Sequence, residues 1–491
     1  MKAEFSIPSI LLETAQTLEN KGFKAYLVGG CVRDLAMNRE PKDWDFTTSA
    51  KPEEIEATFP KTFYENRFGT VTVVNEEEKE ASSLRHIEIT PFRKEGEYSD
   101  QRHPNEVSFS ATLEEDLSRR DFTINALAYR PTTGEFIDLY EGLSDIKQGS
   151  IKTVSKADER FKEDALRISR GIRLATELGF MINQATAQSM AQNSNLLANV
   201  SRERVRDEFT RIIMSKEPMR GLKLLVELEV MPYVIRETLD AVGVEQNGDH
   251  IYDVWEHTIR AVQHSADRDW PLHVRLAALF HDIGKPKTRR WSEEKKDYTF
   301  YGHEVVGARM AKSIMENLKF PVKLTETVVK LVRNHMFFSD IDKITLSAVR
   351  RIVANVGHDN VWDLMKLRAC DRIGMGRPKE APYRLRKYEA MIEEAMRAPT
   401  SVGMLKTDGQ RLMDITGERP GPKIGHTLHA LLQEVLEKPE LNNQEYLDTR
   451  AKELMALNIT ELIKLGEKGK EAKEERETEE ITKIRNKHGV K

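Results

Sequence analysis

The sequence predicts an α/β head followed by an all-helical body, on three observations. The chain has 491 residues, which is too long for one compact core, so several domains are expected. Apolar runs typical of strands fall in the first third of the chain, at 25–28, 69–74, 86–90 and 126–129. From about Phe161 onward the pattern changes to charged amphipathic segments with helical spacing.

The composition narrows the class of protein. Lys and Arg total 76 against 80 Asp and Glu, a net charge of -4, so any contact with nucleic acid must come from local basic patches. Cys31 and Cys370 are too far apart for a CxxC metal site, which suits a reducing compartment, and we interpret both as structural. No signal-like N-terminus and no run of about 18 apolar residues is present, so we expect a soluble, cytoplasmic protein without membrane contact.

The first elements predict a phosphate-binding turn. A helix is expected over 8–21, followed by the strand 25–28, which runs into Gly29 and Gly30. Glycines at the end of a strand let backbone amides approach a phosphate closely, and Arg33 adds a positive charge. These residues are candidates for binding a nucleotide.

A pair of carboxylates follows this turn. Asp43 and Asp45 are two residues apart, and on a strand such residues point to the same face, so both can hold divalent ions. Two hard oxygen ligands suit Mg²⁺. Such a site would activate an RNA 3′-hydroxyl and neutralise charge at an α-phosphate and on leaving pyrophosphate. Glu88, on the polar side of a later strand, is a candidate third carboxylate.

The glycine turn and the two aspartates, GGCVRD followed by DWD, resemble the polymerase-β-like nucleotidyltransferase superfamily. The segment RRDFTINALAY at 119–129 narrows the resemblance to the class II (bacterial-type) CCA-adding tRNA nucleotidyltransferases, whose ribose-recognition motif it is similar to. Arg120 can bind a triphosphate, while Asp121 and Asn125 offer short polar groups for ribose hydroxyls.

The segment at 159–180 predicts how a base would be selected. On a single helix, Asp164, Arg167, Arg170 and Arg173 would line one side. Asp164 accepts from an exocyclic amine and Arg167 donates to a ring nitrogen, so together they can read cytosine or adenine and reject uracil and guanine. This matches the family's EDxxR motif, and by resemblance Arg170 and Arg173 are further nucleotide-binding residues.

Other segments support the resemblance. Glu203, Arg204 and Glu208 resemble the family's ERxxxE motif, which fits a structural helix pair that supports the pocket. The polar stretch 90–107 resembles the flexible loop with which CCA-adding enzymes switch from cytidine to adenosine, which argues against adding cytidines only. Gly171 departs from the family, which more often has alanine there.

A second constellation resembles the HD superfamily. Its residues are His257, His281, Asp282, His303, His335 and Asp371. Of these, His257, His281, Asp282 and Asp371 are predicted to bind a divalent metal, because imidazoles and carboxylates from separate helices can polarise a phosphate and activate water. In related CCA-adding enzymes an intact HD domain is associated with phosphatase and 2′,3′-cyclic phosphodiesterase activities.

The resemblance implies an α/β nucleotidyltransferase (polymerase-β-like) head followed by an all-α neck, an HD domain and a helical body and tail. It implies addition of CCA to the 3′ end of tRNA from CTP and ATP without a template, with Mg²⁺ in the head and a second divalent metal in the HD domain. The expected limits are 1–150 for the head, 151–241 for the neck, 242–398 for the HD domain, 399–465 for the tRNA-binding body and 466–491 for a charged tail.

Three alternatives stay open. One is an enzyme that adds only the terminal adenosine. Another is a poly(A) polymerase, which shares the head motifs but typically has a GRRFxLxHV-like stretch where this chain reads ENRFGTVTVV, at 65–74. The third is a protein that acts mainly as an HD phosphohydrolase on RNA ends. In that case the head would only present RNA to the HD domain. The sequence leaves the oligomeric state open.

Overall fold

The computed structural model divides the chain into an N-terminal unit, Met1–Val234, and a C-terminal unit, Ile235–Lys491. It describes residues 4–65, 69–79, 82–95, 107–109, 112–246, 251–336, 344–396, 401–458 and 461–462. Most of the predicted flexible loop 90–107, the predicted tail 466–491 and part of the stretch 65–74 lie outside these residues. No helix among the described residues is both long and apolar enough to cross a membrane.

A seven-stranded sheet forms the core of the N-terminal unit, with the strand order β3-β4-β5-β2-β1-β8-β9. Within it, β2 and β5 are parallel and the other neighbours are antiparallel. The strands of the N-terminal unit are β1 (Ala25–Val28), β2 (Asp45–Thr48), β3 (Thr62–Glu65), β4 (Thr70–Val74), β5 (His86–Pro91), β6 (Lys94–Glu95), β7 (Val107–Ser108), β8 (Leu127–Arg130), β9 (Glu135–Asp138), β10 (Ser150–Ile151) and β11 (Met181–Ile182). Outside the large sheet, β6 pairs with β7 and β10 pairs with β11. The predicted strands in the head are confirmed, with ends that differ by at most one residue.

Eleven helices accompany these strands among the described residues. They are α1 (Ser9–Asn20), α2 (Gly30–Ala36), α3 (Pro52–Thr58), α4 (Leu113–Ser118), α5 (Gly142–Gln148), α6 (Ala157–Glu163), α7 (Leu166–Leu178), α8 (Gln184–Asn193), α9 (Arg202–Met214), α10 (Pro218–Glu227) and α11 (Met231–Ile235). One face of the sheet buries Leu27, Trp44, Phe46 and Ile89 in a common core with Leu11 and Leu18 of α1. That core leaves the opposite side chains of β2 and β5 available for polar chemistry.

The single helix expected over 159–180 is wrong in one respect. Asp164 separates α6 from α7 in an extended conformation, with φ -142° and ψ 103°, so it does not continue the helical row of arginines. The physical reason is a local hydrogen bond, because the Asp164 carboxylate accepts from the backbone N–H of Leu166 at 3.1 Å. Gly171 within α7 packs so tightly that an added Cβ would lie 2.3 Å from the Met190 methyl and 2.8 Å from the Phe122 ring, which explains the departure from alanine.

The C-terminal unit is mostly helical, as expected. Its helices are α12 (Val254–Asp267), α13 (Leu272–Phe280), α14 (Lys285–Thr288), α15 (His303–Asn317), α16 (Val322–Asn334), α17 (Leu346–Val356), α18 (His358–Gly374), α19 (Tyr383–Met396), α20 (Gly409–Thr416), α21 (Pro422–Glu437) and α22 (Gln444–Ala456). The prediction of an all-helical body missed one hairpin, β12 (Arg290–Ser292) with β13 (Asp297–Thr299). Cross-strand packing of Trp291 on Tyr298, with ring centroids 5.2 Å apart, supports this short antiparallel pair.

Candidate active sites

Two carboxylates lie on the face of the head sheet opposite the Leu27 core, and a third lies just before β2. Trp44 and Phe46 point into the core, which places Asp45 between them on the other face. Asp43 lies just before β2 and is exposed, so the expectation that both aspartates lie on the strand is wrong for Asp43, although the alternation of faces continues. Glu88 of β5 is the direct neighbour of Asp45 in the parallel pair, so the structure brings the predicted third carboxylate next to Asp45.

The charges of these groups act on one another. Burial raises the pKa of Asp45 to about 6, together with the nearby negative charges of Glu88 and Asp43, while Arg120 acts in the opposite direction. Carboxylates that repel each other in this way form a site that a divalent cation would stabilise. The oxygen-rich donor set fits Mg²⁺, as predicted for the head.

The glycine turn brings Arg120 to these carboxylates. Gly29 has φ +80°, a conformation that L side chains rarely adopt. A Cβ at this position would lie 3.3 Å from Arg120 Nη1 and 4.0 Å from Asp45 Oδ2. Glycine therefore leaves room for the guanidinium beside the carboxylates. Gly30 starts α2 and faces Arg33, whose Nη2 would lie 3.7 Å from an added Cβ.

Asp116, which the sequence analysis missed, holds Arg120 in place. Its fully buried carboxylate accepts hydrogen bonds from Arg120 Nη2 at 3.0 Å and from Arg119 Nη2 at 2.6 Å. Thr47 Oγ1, on the same strand as Asp45, donates to the same carboxylate at 3.3 Å. Burial would raise the pKa of Asp116, but the two arginines outweigh burial and lower it. The signal was available, because Asp116 precedes Arg120 by four residues at the end of a helix.

A chain of hydrogen bonds joins the head to α7. Arg33 Nη1 donates to Asn125 Oδ1 at 2.8 Å, and Asn125 Nδ2 donates to Asp121 Oδ1 at 3.3 Å. Arg170 Nε donates to Asp121 Oδ2 at 2.9 Å. Burial would raise the pKa of Asp121, but Arg170 and Arg167 with two hydrogen bonds lower it to about 2. The structure thus brings together two predicted nucleotide-binding arginines through the two residues predicted to recognise ribose.

The residues predicted to read the base have other partners here. Asp164 accepts two hydrogen bonds from Arg204, at 2.8 and 3.3 Å. Arg167 Nη1 donates to Glu163 at 2.6 Å. Arg204 of the ERxxxE motif therefore contacts the candidate base-reading carboxylate directly, a contact that the sequence analysis did not anticipate.

Arg173 differs from the other arginines of α7. Its side chain is 5% exposed and donates to Glu208 at 2.5 Å and to Glu177 at 2.6 Å. The Arg170 side chain, by contrast, is 40% exposed. Glu208 belongs to α9, so the buried pair connects α7 with α9. This agrees with the structural role expected for the ERxxxE helix, and it draws Arg173 away from the open side of α7.

The second candidate site lies in the C-terminal unit, where four buried side chains converge. They are His257, His281, Asp282 and Asp371, the predicted metal ligands, each offering an atom within 4.8 Å of the others. Asp282 Oδ2 lies 3.1 Å from His257 Nε2 and 3.3 Å from His281 Nε2. The two histidine Nε2 atoms are only 2.9 Å apart.

The other oxygen of Asp282 faces a second set. Asp282 Oδ1 lies 3.3 Å from His303 Nε2 and 3.8 Å from His335 Nε2, and these two nitrogens are 3.1 Å apart. The sequence analysis placed His303 and His335 in the constellation but not among the ligands. Because the two carboxylate oxygens of Asp282 point to separate histidine pairs, the arrangement has room for two ions with Asp282 between them.

Three of the histidines present Nε2 to the cluster. The Nδ1 atoms of His281, His303 and His335 lie 2.6–2.8 Å from backbone carbonyl oxygens, to which only an N–H can donate. When such an imidazole is neutral, its Nε2 therefore carries the free lone pair. Burial and the neighbouring histidines lower the pKa of His335 to about 3, so this imidazole is neutral at pH 7. Facing lone pairs repel each other unless a cation lies between them, so the donor set fits a divalent ion.

A cavity of about 390 Å³ opens onto this cluster. Asp282, His303, His335 and Asp371 form part of its lining, and Lys285 and Arg368 add two cationic groups. Apolar groups contribute the rest, from Phe300, Tyr301, Met336 and Met375. The cavity can therefore hold a small anionic molecule or a chain end next to the cluster.

Three family profiles match the chain. Residues 25–152 match the family described as "Poly A polymerase head domain", residues 179–241 match "Probable RNA and SrmB- binding site of polymerase A", and residues 248–381 match "HD domain". Together with the carboxylates on the head sheet and the histidine–aspartate cluster, these matches define a nucleotidyltransferase that carries an HD domain.

Individual relatives narrow this class. A CCA-adding enzyme of Lactobacillus delbrueckii subsp. bulgaricus is 46% identical over 209 residues, which are 42% of this chain and 51% of that enzyme. A CC-adding tRNA nucleotidyltransferase of Thermus thermophilus is 32% identical over 423 residues, 83% of this chain and 89% of that enzyme. Against the first of these relatives, the chain spans about half of the curated protein.

The solved structures agree. The crystal structure of the Bacillus stearothermophilus CCA-adding enzyme in complex with CTP has a TM-score of 0.66 and 27% identity, and covers 90% of this chain and 96% of that chain. The chain belongs to the tRNA nucleotidyltransferase family, and the resemblance to its class II CCA-adding members is confirmed.

Proposed function

We propose that this chain adds CCA to the 3′ end of tRNA, using CTP and ATP as substrates. The observation that carries the proposal is the cluster of Asp43, Asp45 and Glu88 beside Arg120, in a head that belongs to the tRNA nucleotidyltransferases. Two Mg²⁺ ions bound to these carboxylates would activate the RNA 3′-hydroxyl and stabilise the pyrophosphate that leaves. The carboxylates hold the ions, and Arg120 balances charge on the phosphates.

We propose that the triphosphate binds along the hydrogen-bonded chain described above. Gly30 leaves space for it, and Arg33, Arg120 and Arg170 supply positive charge. Asp121 then acts mainly by holding Arg170 and, through Asn125, Arg33. The prediction that Arg173 binds nucleotide stays a prediction, and its burial against Glu208 favours a role in holding α7.

We propose that Asp164 and Arg167 select the base. Asp164 Oδ1 already accepts from Arg204 and from the backbone N–H of Leu166, whereas Oδ2 has a second lone pair besides the one that Arg204 uses. Oδ2 can therefore accept from the exocyclic amine of cytosine or adenine while Arg204 keeps the carboxylate oriented. Arg167 Nη1 is held by Glu163, and Nη2 donates to the backbone oxygen of Arg119 at 3.0 Å. A small rotation of this guanidinium would bring an N–H to a ring nitrogen.

For the HD domain we propose a metal-dependent phosphohydrolase activity on RNA ends. His257, His281, Asp282 and Asp371 would hold one divalent ion, and Asp282, His303 and His335 a second. Bound ions would polarise a phosphate and activate water. We also propose the domain limits 1–150, 151–241, 242–398, 399–465 and 466–491, with tRNA held by the body and the reaction located in the cytoplasm.

One observation favours a second candidate, addition of CC only, because the Thermus thermophilus relative matched over most of this chain is a CC-adding enzyme. The two functions separate in one assay. Purified protein, Mg²⁺ and CTP, ATP or both are incubated with tRNA transcripts that end at the discriminator base, at C and at CC, and product lengths are read at single-nucleotide resolution.

Three additions to the first transcript are expected for CCA synthesis. Two additions to the first transcript, with no third addition although ATP is present, would establish a CC-adding enzyme. Extension of the CC transcript alone would establish an A-adding enzyme. Long adenosine tails on every RNA would contradict the proposal. Asp45→Asn is the control, since loss of a carboxylate from the cluster should abolish every product.

A further inference from the structure

Two cations of the HD cavity are paired with the carboxylates that a metal would need. Lys285 Nζ lies 2.6 Å from Asp282 Oδ2, the same oxygen that faces His257 and His281. Arg368 Nη1 forms an ion pair with Asp371, three residues further along α18. Both cations line the cavity. Each therefore lies between a candidate ligand and the space that a phosphate would enter.

The contact at Asp282 is electrostatic rather than directional. Although Lys285 Nζ is close, Asp282 Oδ2 is buried and accepts no well-aligned hydrogen bond from the groups that the structure describes. The ammonium has a second partner, since it donates to Gln246 Oε1 at 2.6 Å. The ion pair between Lys285 and Asp282 can therefore break while the hydrogen bond to Gln246 keeps Lys285 at the cavity wall.

Each of the two carboxylates is matched by one cation. Asp282 is paired with Lys285, and Asp371 is paired with Arg368. A divalent ion binds a carboxylate oxygen at about 2.0–2.2 Å. Such an ion on Asp282 Oδ2 would lie close to an ammonium that is itself 2.6 Å from this oxygen, so the two cations must compete.

We propose that Lys285 and Arg368 are built-in counter-ions that occupy Asp282 and Asp371 in the metal-free site and turn to the phosphate of a substrate once ions bind. The inference rests on the metal-dependent hydrolase function proposed above. After the exchange, the two side chains face a cavity in which only an anion can balance the added charge. The planar guanidinium of Arg368 suits two phosphate oxygens, and Lys285 contributes a point charge.

A purely structural role predicts something different. If Lys285 only positions Asp282, then removing it should leave metal affinity unchanged or reduce it. A competing cation predicts the opposite, a tighter metal site and a weaker phosphate site in the same variant. A like charge within a buried site weakens the binding of a cation by about tenfold or more, so its removal changes the metal affinity by an amount that is large enough to measure.

The test uses the full chain with Asp43→Asn and Asp45→Asn, so that the head contributes no metal site. Co²⁺ is titrated and followed by its visible absorption bands, and inorganic phosphate is then titrated into the Co²⁺-loaded protein by calorimetry. Lys285→Met and Arg368→Met are each compared with Lys287→Met, an exposed lysine on the same short helix as Lys285. Circular dichroism confirms that each variant is folded.

Lys285→Met and Arg368→Met should each bind Co²⁺ about tenfold more tightly and phosphate about tenfold more weakly, with Lys287→Met unchanged. Equal or weaker Co²⁺ binding by both folded variants would overturn the counter-ion role. If one variant does not fold, the other decides. The double variant His257→Ala with His303→Ala tests the proposed metal centre itself. If it keeps the Co²⁺ bands of the parent protein, the proposed metal centre is wrong. That outcome differs from an unchanged Co²⁺ affinity in the Lys285 and Arg368 variants.

Discussion

Asp121 is the residue whose replacement tests the head most sharply. Its carboxylate is 9% exposed and accepts from Arg170, from Asn125 and from the backbone N–H of Phe122 at 2.8 Å. The difference between its ordinary pKa of 3.8 and about 2 corresponds to about 2.5 kcal/mol of preference for the ionised form. Asp121→Asn removes this charge and keeps the shape, so we expect the region to lose about 2–3 kcal/mol of stability at pH 7.

The sign of the pH dependence follows from the same shift. Because folding lowers the pKa of Asp121, its contribution to stability is complete above the ordinary pKa and is lost as the pH falls from about 4 towards 2. The stabilities of the parent protein and of Asp121→Asn should therefore differ most at neutral pH and become equal in acid. Hydrogen exchange read by mass spectrometry on peptides within 112–130 isolates this region from the C-terminal unit.

Asp158→Asn is the matched control for this experiment. Asp158 forms an ion pair with Lys162 at 2.6 Å on the surface of α6, and solvent screens that pair. Asp158 also accepts a hydrogen bond from Asn193 Nδ2 at 2.9 Å, and the amide oxygen of an asparagine can accept the same bond, so exchange should not change. The affinity for CTP should also fall in Asp121→Asn, since Arg170 and Asn125 lose their common partner. Equal protection in Asp121→Asn and parent protein at pH 7 would refute the reasoning that this carboxylate organises the pocket.

Four further outcomes are expected. Asp45→Asn should abolish nucleotide addition and leave phosphohydrolase activity intact, because the two sites share no residue; parallel assays on one preparation check this. Arg173→Met should destabilise the N-terminal unit by about 3–5 kcal/mol, measured by hydrogen exchange, with little change in KM for CTP, since a buried Glu208 loses its partner. Asp116→Asn should raise KM for CTP, because Arg120 loses its anchor, whereas Thr47→Val, which removes one long hydrogen bond, should have little effect. Chelation should lower the melting temperature of the chain, and calorimetry should show that the loss is absent in His257→Ala.

Local patterns predicted most of the head. The strand 25–28 and the helix ending near Gly22 were identified because an apolar run and a glycine stop are local signals, and the structure confirms both. The break at Asp164 was missed because helical spacing of arginines continues across it. A side chain that hydrogen-bonds its own backbone two residues on can interrupt a helix without altering that spacing.

The candidate sites were predictable as sets of residues but not as partnerships. The spacing of Asp43 and Asp45 indicated a shared face. It did not show that Glu88 of β5 lies directly beside Asp45 of β2, because the register of two strands depends on long-range pairing. Likewise, one side of a helix was expected to carry Arg170 and Arg173 into one pocket. Burial separates them, since only a structure shows that Glu208 of another helix reaches Arg173.

The paired state of Asp164 and Arg167 bears on how the proposed pocket would accept two bases. Asp164 is held by Arg204 and Arg167 by Glu163, so neither group is free to adopt whatever position a base would impose. Cytosine and adenine both present an amine next to a ring acceptor, but at different distances from the ribose. A rigid pair would fit one of them, so under the proposed function Arg167 would rotate between Glu163 and the base while Arg204 holds Asp164 still. In the proposed selection of a base, the ion pair from α9 to Asp164 would stay constant, and the Arg167 guanidinium on α7 would adjust.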